Sequence, residues 1–255
     1  MSAPRVYRCD GIVLHRTRLG EADMILTLLT PYRGKLRVVA RGVRRPGSKM
    51  GGHLDLLIYS TLLLAQGQNL DVVTQAQTRE SFLALRDDLA RTAAGMYAAE
   101  LVERFTEEQG ELQPVFRLFL ETLRRLSETP DPALVLRHFE LNLLGLLGFR
   151  PELDACVLCG RSPDAEGRGF SAASGGVLCA ECAATEPMAR LLSRAGLEAL
   201  RFLQRAGAAQ AERAQLSAEV REELERLLRE YIGFVLEQEV RSAAFLRELG
   251  AGSLS

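Results

Sequence analysis

Four cysteines arranged as two C-x2-C pairs are the feature that most limits how this chain can fold. Nineteen residues separate the pairs, whose members are Cys156, Cys159, Cys179 and Cys182. Four thiolates brought together by one fold supply the soft, tetrahedral donor set that Zn²⁺ prefers. The spacing therefore predicts one structural Zn²⁺ per chain. Because four protein ligands leave no open coordination position, it argues against a catalytic metal.

Two disulfides, or four plain buried thiols, are the alternative interpretations of the same cysteines. Disulfides need an oxidising compartment, and residues 1–5 show no apolar core of a signal peptide. The chain also has no run of eighteen apolar residues, so we expect no transmembrane helix. These observations predict a cytoplasmic protein with reduced, metal-binding cysteines.

The net charge of −1 conceals a strong asymmetry along the chain. Residues 1–50 hold eleven Lys and Arg against three acids, a net charge of +8, whereas the remaining 205 residues carry −9. A basic segment on an acidic body indicates a polyanion such as nucleic acid at one end. The alternative is an ordinary solvated charged surface.

The N-terminal third of the chain has the pattern of β-structure. Runs rich in Val, Ile, Leu, Thr and Tyr alternate with Gly-containing or polar turns, and we expect strands over residues 6–16, 24–30, 36–42, 56–65 and 70–76. Five short strands in about seventy residues fit a small barrel, and the OB-fold is the five-stranded barrel that binds oligonucleotides. We therefore predict an OB-fold DNA-binding domain over residues 1–79.

The third predicted strand and the loop after it hold a concentrated set of cations. Strand side chains alternate between faces, so Leu36, Val38 and Ala40 should enter the core while basic side chains occupy the other face. The candidate DNA-binding residues on this face and in the loop are Lys35, Arg37, Arg41, Arg44, Arg45 and Lys49. Such a surface can follow a phosphate backbone, although an edge strand kept soluble by charge would have the same composition.

From residue 80 onward the apolar residues recur at helical spacing. We expect helices over residues 81–108, 112–127, 132–147, 193–206, 217–239 and 242–249. Asp131 is a suitable N-cap for the helix that begins at Pro132, and Gly148 is suitable just beyond its end. The fold class is thus α+β, with an all-α domain over residues 80–255. The cysteine segment, residues 150–186, is a zinc-binding insertion in that domain. Its net charge of −3 favours a role in stability or partner contact over DNA reading.

These residues, in this order, resemble the RecO family of bacterial DNA recombination and repair mediators. The N-terminal part of the resemblance lies in Gly11-Ile12-Val13-Leu14, Gly20-Glu21-Ala22-Asp23, Thr30 through Gly34-Lys35, Val39-Ala40-Arg41-Gly42-Val43-Arg44-Arg45 and Gln75-Ala76-Gln77. The C-terminal part lies in Phe139-Glu140-Leu141, Gly148-Phe149-Arg150-Pro151, Leu153, the four cysteines and Gly175-Gly176-Val177. Together these blocks cover nearly the whole chain.

The resemblance implies an OB-fold, a helical domain and an embedded zinc motif. It also implies a nucleoid-associated protein that binds single- and double-stranded DNA and anneals complementary strands. Its partners would be RecR, in some settings RecF, and the C-terminal tail of single-strand-binding protein (SSB), with RecA loaded onto the strand as the result. By motif match, the resemblance assigns DNA contact to Lys35, Arg41, Arg44 and Arg45. Arg37 and Lys49 come from strand alternation and loop position alone.

The competing function class is a zinc-stabilised nucleic-acid- or protein-interaction module, such as a transcription regulator. Sequence-specific recognition of a duplex would favour a helix with clustered base-reading side chains, whereas the cations here lie on a strand and a loop. We expect no catalysis and no small-molecule substrate. The three histidines, His15, His53 and His138, are widely dispersed, and neither a nucleophile elbow nor a phosphate-binding P-loop is present in the sequence.

Overall fold

The structure is a computed structural model that describes residues 5–108, 110–164 and 166–237. The chain divides into two compact units, Met1–Glu128 and Thr129–Ser255. None of the helices in the described part is long and apolar enough to cross a membrane.

The first unit is built on a five-stranded sheet. Its strands are β1 (Val6–Leu19), β2 (Asp23–Leu29), β3 (Lys35–Ala40), β4 (Tyr59–Ala65) and β5 (Asp71–Glu80). β1 pairs antiparallel with both β2 and β4, β2 pairs with β3, and β5 pairs antiparallel with β4 and parallel with β3. The order β1-β2-β3-β5-β4 therefore closes the sheet on itself. A short 3-10 helix, Gly51–Leu54, lies between β3 and β4.

Strand alternation builds the core of this sheet. Leu26 and Leu28 of β2 are completely buried, as are Leu62 and Leu64 of β4 to within 1% exposure, and Cys9 lies among them. On β3 the same alternation buries Val38 and Ala40, while Arg37, directly before Val38, is exposed. This is the pattern that the sequence predicted for the third strand.

Three helices belong to the same unit as the sheet: α1 (Leu83–Arg86), α2 (Leu89–Phe105) and α3 (Gln113–Glu128). α2 packs on β1 and on α3. Gly95 of α2 permits a close approach, since a Cβ there would lie 2.9 Å from Leu57 Cδ1. The compact unit therefore ends at Glu128. The change of periodicity in the sequence suggested a boundary at residue 79. The domain limits 1–79 and 80–255 stay predictions.

The second unit is mainly helical, and α4 is its central helix. Its helices are α4 (Pro132–Leu146), α5 (Ala180–Thr185), α6 (Arg194–Arg205), α7 (Ala208–Ala211) and α8 (Ala218–Leu236). α4 contacts α6, α7 and α8, consistent with its almost continuous apolar surface. The Asp131 side chain accepts a hydrogen bond from Leu134 N at 3.2 Å, and Gly148 follows the helix with a φ of 86°. Both terminal signals in the sequence thus act as predicted.

A small antiparallel sheet makes the second unit less purely helical than predicted. It consists of β6 (Gly169–Ser171), β7 (Gly176–Leu178) and β8 (Arg190–Leu191), in the order β7-β6-β8. The prediction of an all-α domain is therefore incomplete, because strands of two or three residues carry no recognisable alternation. The predicted helix over residues 242–249 lies outside the described residues.

Candidate metal centre and nucleic-acid interface

The four cysteines of the two C-x2-C pairs converge on one point in the second unit. Their sulfur atoms all lie within 4.8 Å of one another, and the Sγ atoms of Cys159 and Cys179 are 3.6 Å apart. A tetrahedral Zn²⁺ with bonds of about 2.3 Å needs sulfur–sulfur distances of about 3.8 Å. The cluster therefore fits a zinc ion, and all four donors are of the type that structural zinc sites use.

Backbone hydrogen bonds shape the first cysteine pair and connect it to the small sheet. In the first pair, Gly160 N donates to Cys156 O at 2.8 Å and Cys156 N donates to Arg161 O at 2.9 Å. Gly160 has a φ of 73°, a left-handed conformation that glycine adopts at no steric cost. Val157 N donates to Val177 O at 3.0 Å. The second pair begins where β7 ends, at Cys179, so the sheet itself sets the distance between the two pairs.

Arg161 sets the electrostatics of the exposed side of the cluster. Its Nε donates to Cys159 Sγ at 3.4 Å, and its terminal nitrogens donate to both oxygens of Glu181 at 2.9 and 2.6 Å. The hydrogen bond from Arg161 lowers the pKa of Cys159 to about 6. Hydrogen bonding with Cys159 raises the pKa of Cys182 to about 12. Cys159 thus forms a thiolate readily near neutral pH, and a bound cation would stabilise the thiolate of Cys182.

The predicted DNA-binding residues all lie in the first unit, on β3 or just after it. Lys35 and Arg37 belong to β3, with Arg37 on its outer face. The other four follow β3 in a segment that we call the basic loop, residues 41–50. Five of the six are exposed, namely Arg37, Arg41, Arg44, Arg45 and Lys49. The strand and the loop therefore present five cations to solvent within thirteen residues of sequence.

The basic loop is tied to the turn between β1 and β2. Asp23 Oδ1 accepts a hydrogen bond from Gly42 N at 2.7 Å, and Arg44 N donates to Ala22 O at 2.9 Å. Gly42 has a φ of 63°, which a side chain would strain. Val43 between the two contacts is buried. These contacts hold the start of the loop in one position, with its arginines directed outward.

Lys35 occupies a different environment from the other five. It is half-buried, and its Nζ donates to Glu103 O at 2.6 Å and to Thr106 O at 2.7 Å. Those carbonyls belong to the C-terminal end of α2, where a cation is favourable. The lysine side chain therefore fastens the helix to the sheet, and a DNA phosphate would have to compete with two backbone carbonyls for it.

Arg18 is a cation near this surface that was not among the predicted site residues. The strand register sets Arg18 beside Met24, which in turn pairs with Ala40, the residue before Arg41. Arg18 is exposed. The excess of basic residues before residue 50 was the available signal, but only the pairing of β1 with β2 and of β2 with β3 places Arg18 in register with Ala40, where the basic loop begins.

The aromatic side chains of the strands are mostly engaged within the unit. The Arg33 guanidinium lies 4.2 Å above the centre of the Tyr7 ring, and the Tyr7 hydroxyl donates to Asp71. Tyr59 contacts Phe116 edge to face, with ring centres 5.5 Å apart. Tyr32 is 63% exposed. The outer surface thus offers cations in number and few rings on which bases could stack.

Two family models together match nearly the whole chain. The family described as "Recombination protein O N terminal" matches residues 1–82, and "Recombination protein O C terminal" matches residues 86–244. The matched ranges include the basic loop and all four cysteines.

Curated relatives support the same assignment. The chain is 42% identical to "DNA repair protein RecO" of Roseiflexus sp. (strain RS-1) over 96% of its own length and 86% of the relative. It is 37% identical to the protein of that name from Dehalococcoides mccartyi (strain CBDB1) over 100% of both chains. It is 40% identical to that of Desulforudis audaxviator over 97% of its own length and 98% of the relative. The chain therefore belongs to the RecO family and, with it, to the proteins of DNA repair and recombination.

Proposed function

We propose that this protein is a non-catalytic recombination mediator. It binds single- and double-stranded DNA, anneals complementary strands and, with RecR and RecF, helps to load RecA onto DNA covered by SSB. The observation that carries the proposal is the set of five exposed cations on β3 and the basic loop, in a chain of the RecO family. The protein would act in the cytoplasm, at the chromosome.

The five-stranded sheet supports the assignment of an OB-fold. OB-folds bind oligonucleotides through the face of strands 2 and 3 and through the loops between strands 1 and 2 and strands 4 and 5. Here the turn between β1 and β2 is hydrogen-bonded to the basic loop, and Arg37 lies on the outer face of β3. The proposed DNA surface thus coincides with the part of the fold that OB-folds use.

We propose that the barrel contacts the phosphates of DNA rather than its bases. Proteins that bind single strands by stacking gain about 1–3 kcal/mol for each base that contacts an aromatic ring. Tyr7 and Tyr59 are engaged inside the unit, and the chain has no tryptophan. Binding should therefore be tolerant of sequence and sensitive to salt. A strand held by its backbone keeps its base edges free, which is what pairing with a second strand requires.

The proposed contact set is Arg37, Arg41, Arg44, Arg45 and Lys49, with Arg18 added from the strand register. Lys35 is proposed to act mainly through α2, because its ammonium already has two carbonyl partners. We further propose that the four cysteines hold one Zn²⁺ that stabilises the second unit and takes no part in the contact with DNA.

The proposal is tested by the annealing of complementary oligonucleotides, without nucleotide, with one strand covered by SSB. The variant Arg44→Ala/Arg45→Ala should abolish the acceleration. For six phosphate contacts, log Kd against log salt should have a slope of about 5, and the variant should lower it by about 2. The matched control removes the same charge from two exposed arginines of the second unit, Arg213→Ala/Arg226→Ala, and should anneal like the unchanged protein.

Three results would contradict this function. DNA binding that does not respond to salt would show that the protein does not bind DNA through its phosphates. Loss of affinity for one sequence only, in the Arg44→Ala/Arg45→Ala variant, would show base readout and favour a regulator of transcription. Tight binding without annealing would leave a nucleic-acid-binding module.

A further inference from the structure

A groove of about 320 Å³ lies on the outer wall of the five-stranded sheet, across β1, β4 and β5. Its lining includes Arg8, Gln75 and Gln77, and all three residues are exposed. The two glutamines belong to the block Gln75-Ala76-Gln77, which has no part in the contact set around the basic loop. The groove is therefore a separate feature of the first unit, and the proposed function gives it no role.

Strand pairing brings the polar side chains of this groove to one face. Arg8 of β1 pairs with Leu63 of β4, which in turn pairs with Gln75 of β5. Directly opposite residues of neighbouring strands share a face, and so do residues two apart on one strand, which adds Gln77 to the row. The register of β4 and β5 shifts between Leu63 and Leu64. A β-bulge of this kind bends its strand and re-aims side chains, and bulges are frequent next to active sites.

The hydrogen-bonding groups of this row are unused within the protein. In the part of the chain that the structure describes, no hydrogen bond or ion pair engages the side chain of Arg8, Gln75 or Gln77. One guanidinium and two amides therefore offer their N–H donors to a ligand in the groove. Arg and Gln side chains both donate to the phosphate and sugar oxygens of DNA.

Arg79 continues the row along β5 and adds a second cation. It is exposed, and its Nε donates to Thr61 Oγ1 at 2.8 Å. The Thr61 hydroxyl in turn donates to Asp10 Oδ1 at 2.5 Å. Two cations, Arg8 and Arg79, thus accompany one carboxylate that already has a hydrogen-bond partner. This excess of positive charge favours an anionic ligand.

The groove lacks the side chains that anchor a protein partner. Binding energy between proteins is concentrated in large anchors, mostly Trp, Tyr and Arg, that fill pockets of the partner. The apolar residues of this lining are not of that kind, because Leu62 is buried and Leu63 is half-buried. The polar, cationic lining fits the backbone of a nucleic acid better.

We propose that this groove binds a second DNA strand by its backbone while the basic loop holds the first. The second site rests on the proposed annealing function, which needs a place for each strand. Arg8 and Arg79 contact phosphates, and Gln75 and Gln77 donate to phosphate or sugar oxygens, so the bases stay free to pair. Two strands held on one chain reach an effective concentration in the millimolar range. With two cations instead of six, the groove holds its strand less tightly and exchanges it until a complementary strand arrives.

Counting the bound strands tests the proposal. One OB-fold covers about 4–16 nucleotides, so the probe is the short oligonucleotide (dT)6, in excess and at low salt. Sedimentation velocity should find two hexamers per unchanged chain and one per chain of Arg8→Thr/Gln77→Thr, in which threonine suits a strand. The matched control Arg213→Thr/Gln215→Thr removes the same groups from exposed positions of the second unit and should bind two. The hexamer (dC)6 should give the same counts, because the backbone is what is bound.

Salt dependence and annealing rate give independent readouts. For single strands, log Kd against log salt should have a slope of about 1.4 at the groove and about 4 at the basic loop. Arg8→Thr/Gln77→Thr should keep its affinity for the first strand within about twofold. It should nevertheless anneal dilute complementary oligonucleotides at least about tenfold more slowly, because the second strand no longer gains from effective concentration.

The possible outcomes separate the groove from the proposed function. Two hexamers per chain without any annealing would refute the mediator function and leave the groove as a DNA site. One hexamer per unchanged chain, or two per chain of Arg8→Thr/Gln77→Thr, would overturn the second site while annealing stands. Unchanged counts and unchanged annealing of bare strands in this variant, with slower annealing only on strands covered by SSB, would also overturn it, because the groove would then bind a protein.

Discussion

Replacing Lys35 by Met separates the structural role of this lysine from a role in DNA binding. The substitution keeps an unbranched side chain of similar length and removes the ammonium that contacts Glu103 O and Thr106 O. Hydrogen bonds that involve a charged group contribute about 1.5–3 kcal/mol each. Two bonds at the lower limit give about 3 kcal/mol, and water reaching a half-buried site recovers about 1 kcal/mol of this. We expect the free energy of unfolding of the first unit to fall by about 2 kcal/mol.

The assay is urea denaturation combined with DNA binding by fluorescence anisotropy well below the melting temperature. For a unit of this size, a loss of about 2 kcal/mol lowers the melting temperature by roughly 6–10 °C. Arg37→Met is the matched control, two residues away on the same outer face of β3 but exposed. It should leave the stability unchanged and weaken DNA binding. The reasoning about Lys35 is refuted if Lys35→Met unfolds like the unchanged protein yet loses as much DNA affinity as Arg37→Met.

Three further predictions concern the metal, an ion pair and the basic loop. Cys179→Ser should lose the bound zinc and lower the melting temperature of the second unit, measured by metal analysis and calorimetry, whereas the cysteine control Cys9→Ser should retain one zinc per chain. Arg124 lowers the pKa of Glu80, so the pair stabilises the fold above the ordinary carboxylate pKa of about 4.3 and loses this effect as the pH falls through the lower folded value. Because both side chains are partly exposed, Arg124→Gln should cost only about 0.5 kcal/mol at pH 7 and nothing near pH 2; a cost that persists in acid would contradict the ion pair. Asp23→Ala should loosen the start of the basic loop and weaken DNA binding about threefold without removing a cation, and unchanged affinity would show that the loop needs no anchor.

Several features of the first unit follow directly from local sequence patterns. Period-two alternation correctly separated Val38 and Ala40 from Arg37, because one face of β3 is buried and the other is not. The spacing of the cysteines likewise predicted their convergence, since each C-x2-C pair forms a local turn that can present two sulfurs together.

Other features depend on contacts between residues distant in sequence. The placement of the Lys35 ammonium on the end of α2 joins residues 68 and 71 positions apart, and nothing in the strand pattern indicates it. The parallel pairing of β3 with β5 and the position of Arg18 beside the loop arise in the same way. The strands of the small sheet were missed because two or three residues cannot show a period.

The small size of the sheet β7-β6-β8 has a consequence for how fast the protein is degraded in the cell. Strands of two or three residues are too short to persist by themselves, and the cysteine cluster lies at their ends. With the proposed zinc in place, the segment between Glu152 and Leu192 is cross-linked at four points. In a zinc-starved cell the newly made segment would lack that cross-link and stay open to proteases. The abundance of the repair protein would then follow the zinc supply, without any change in its synthesis.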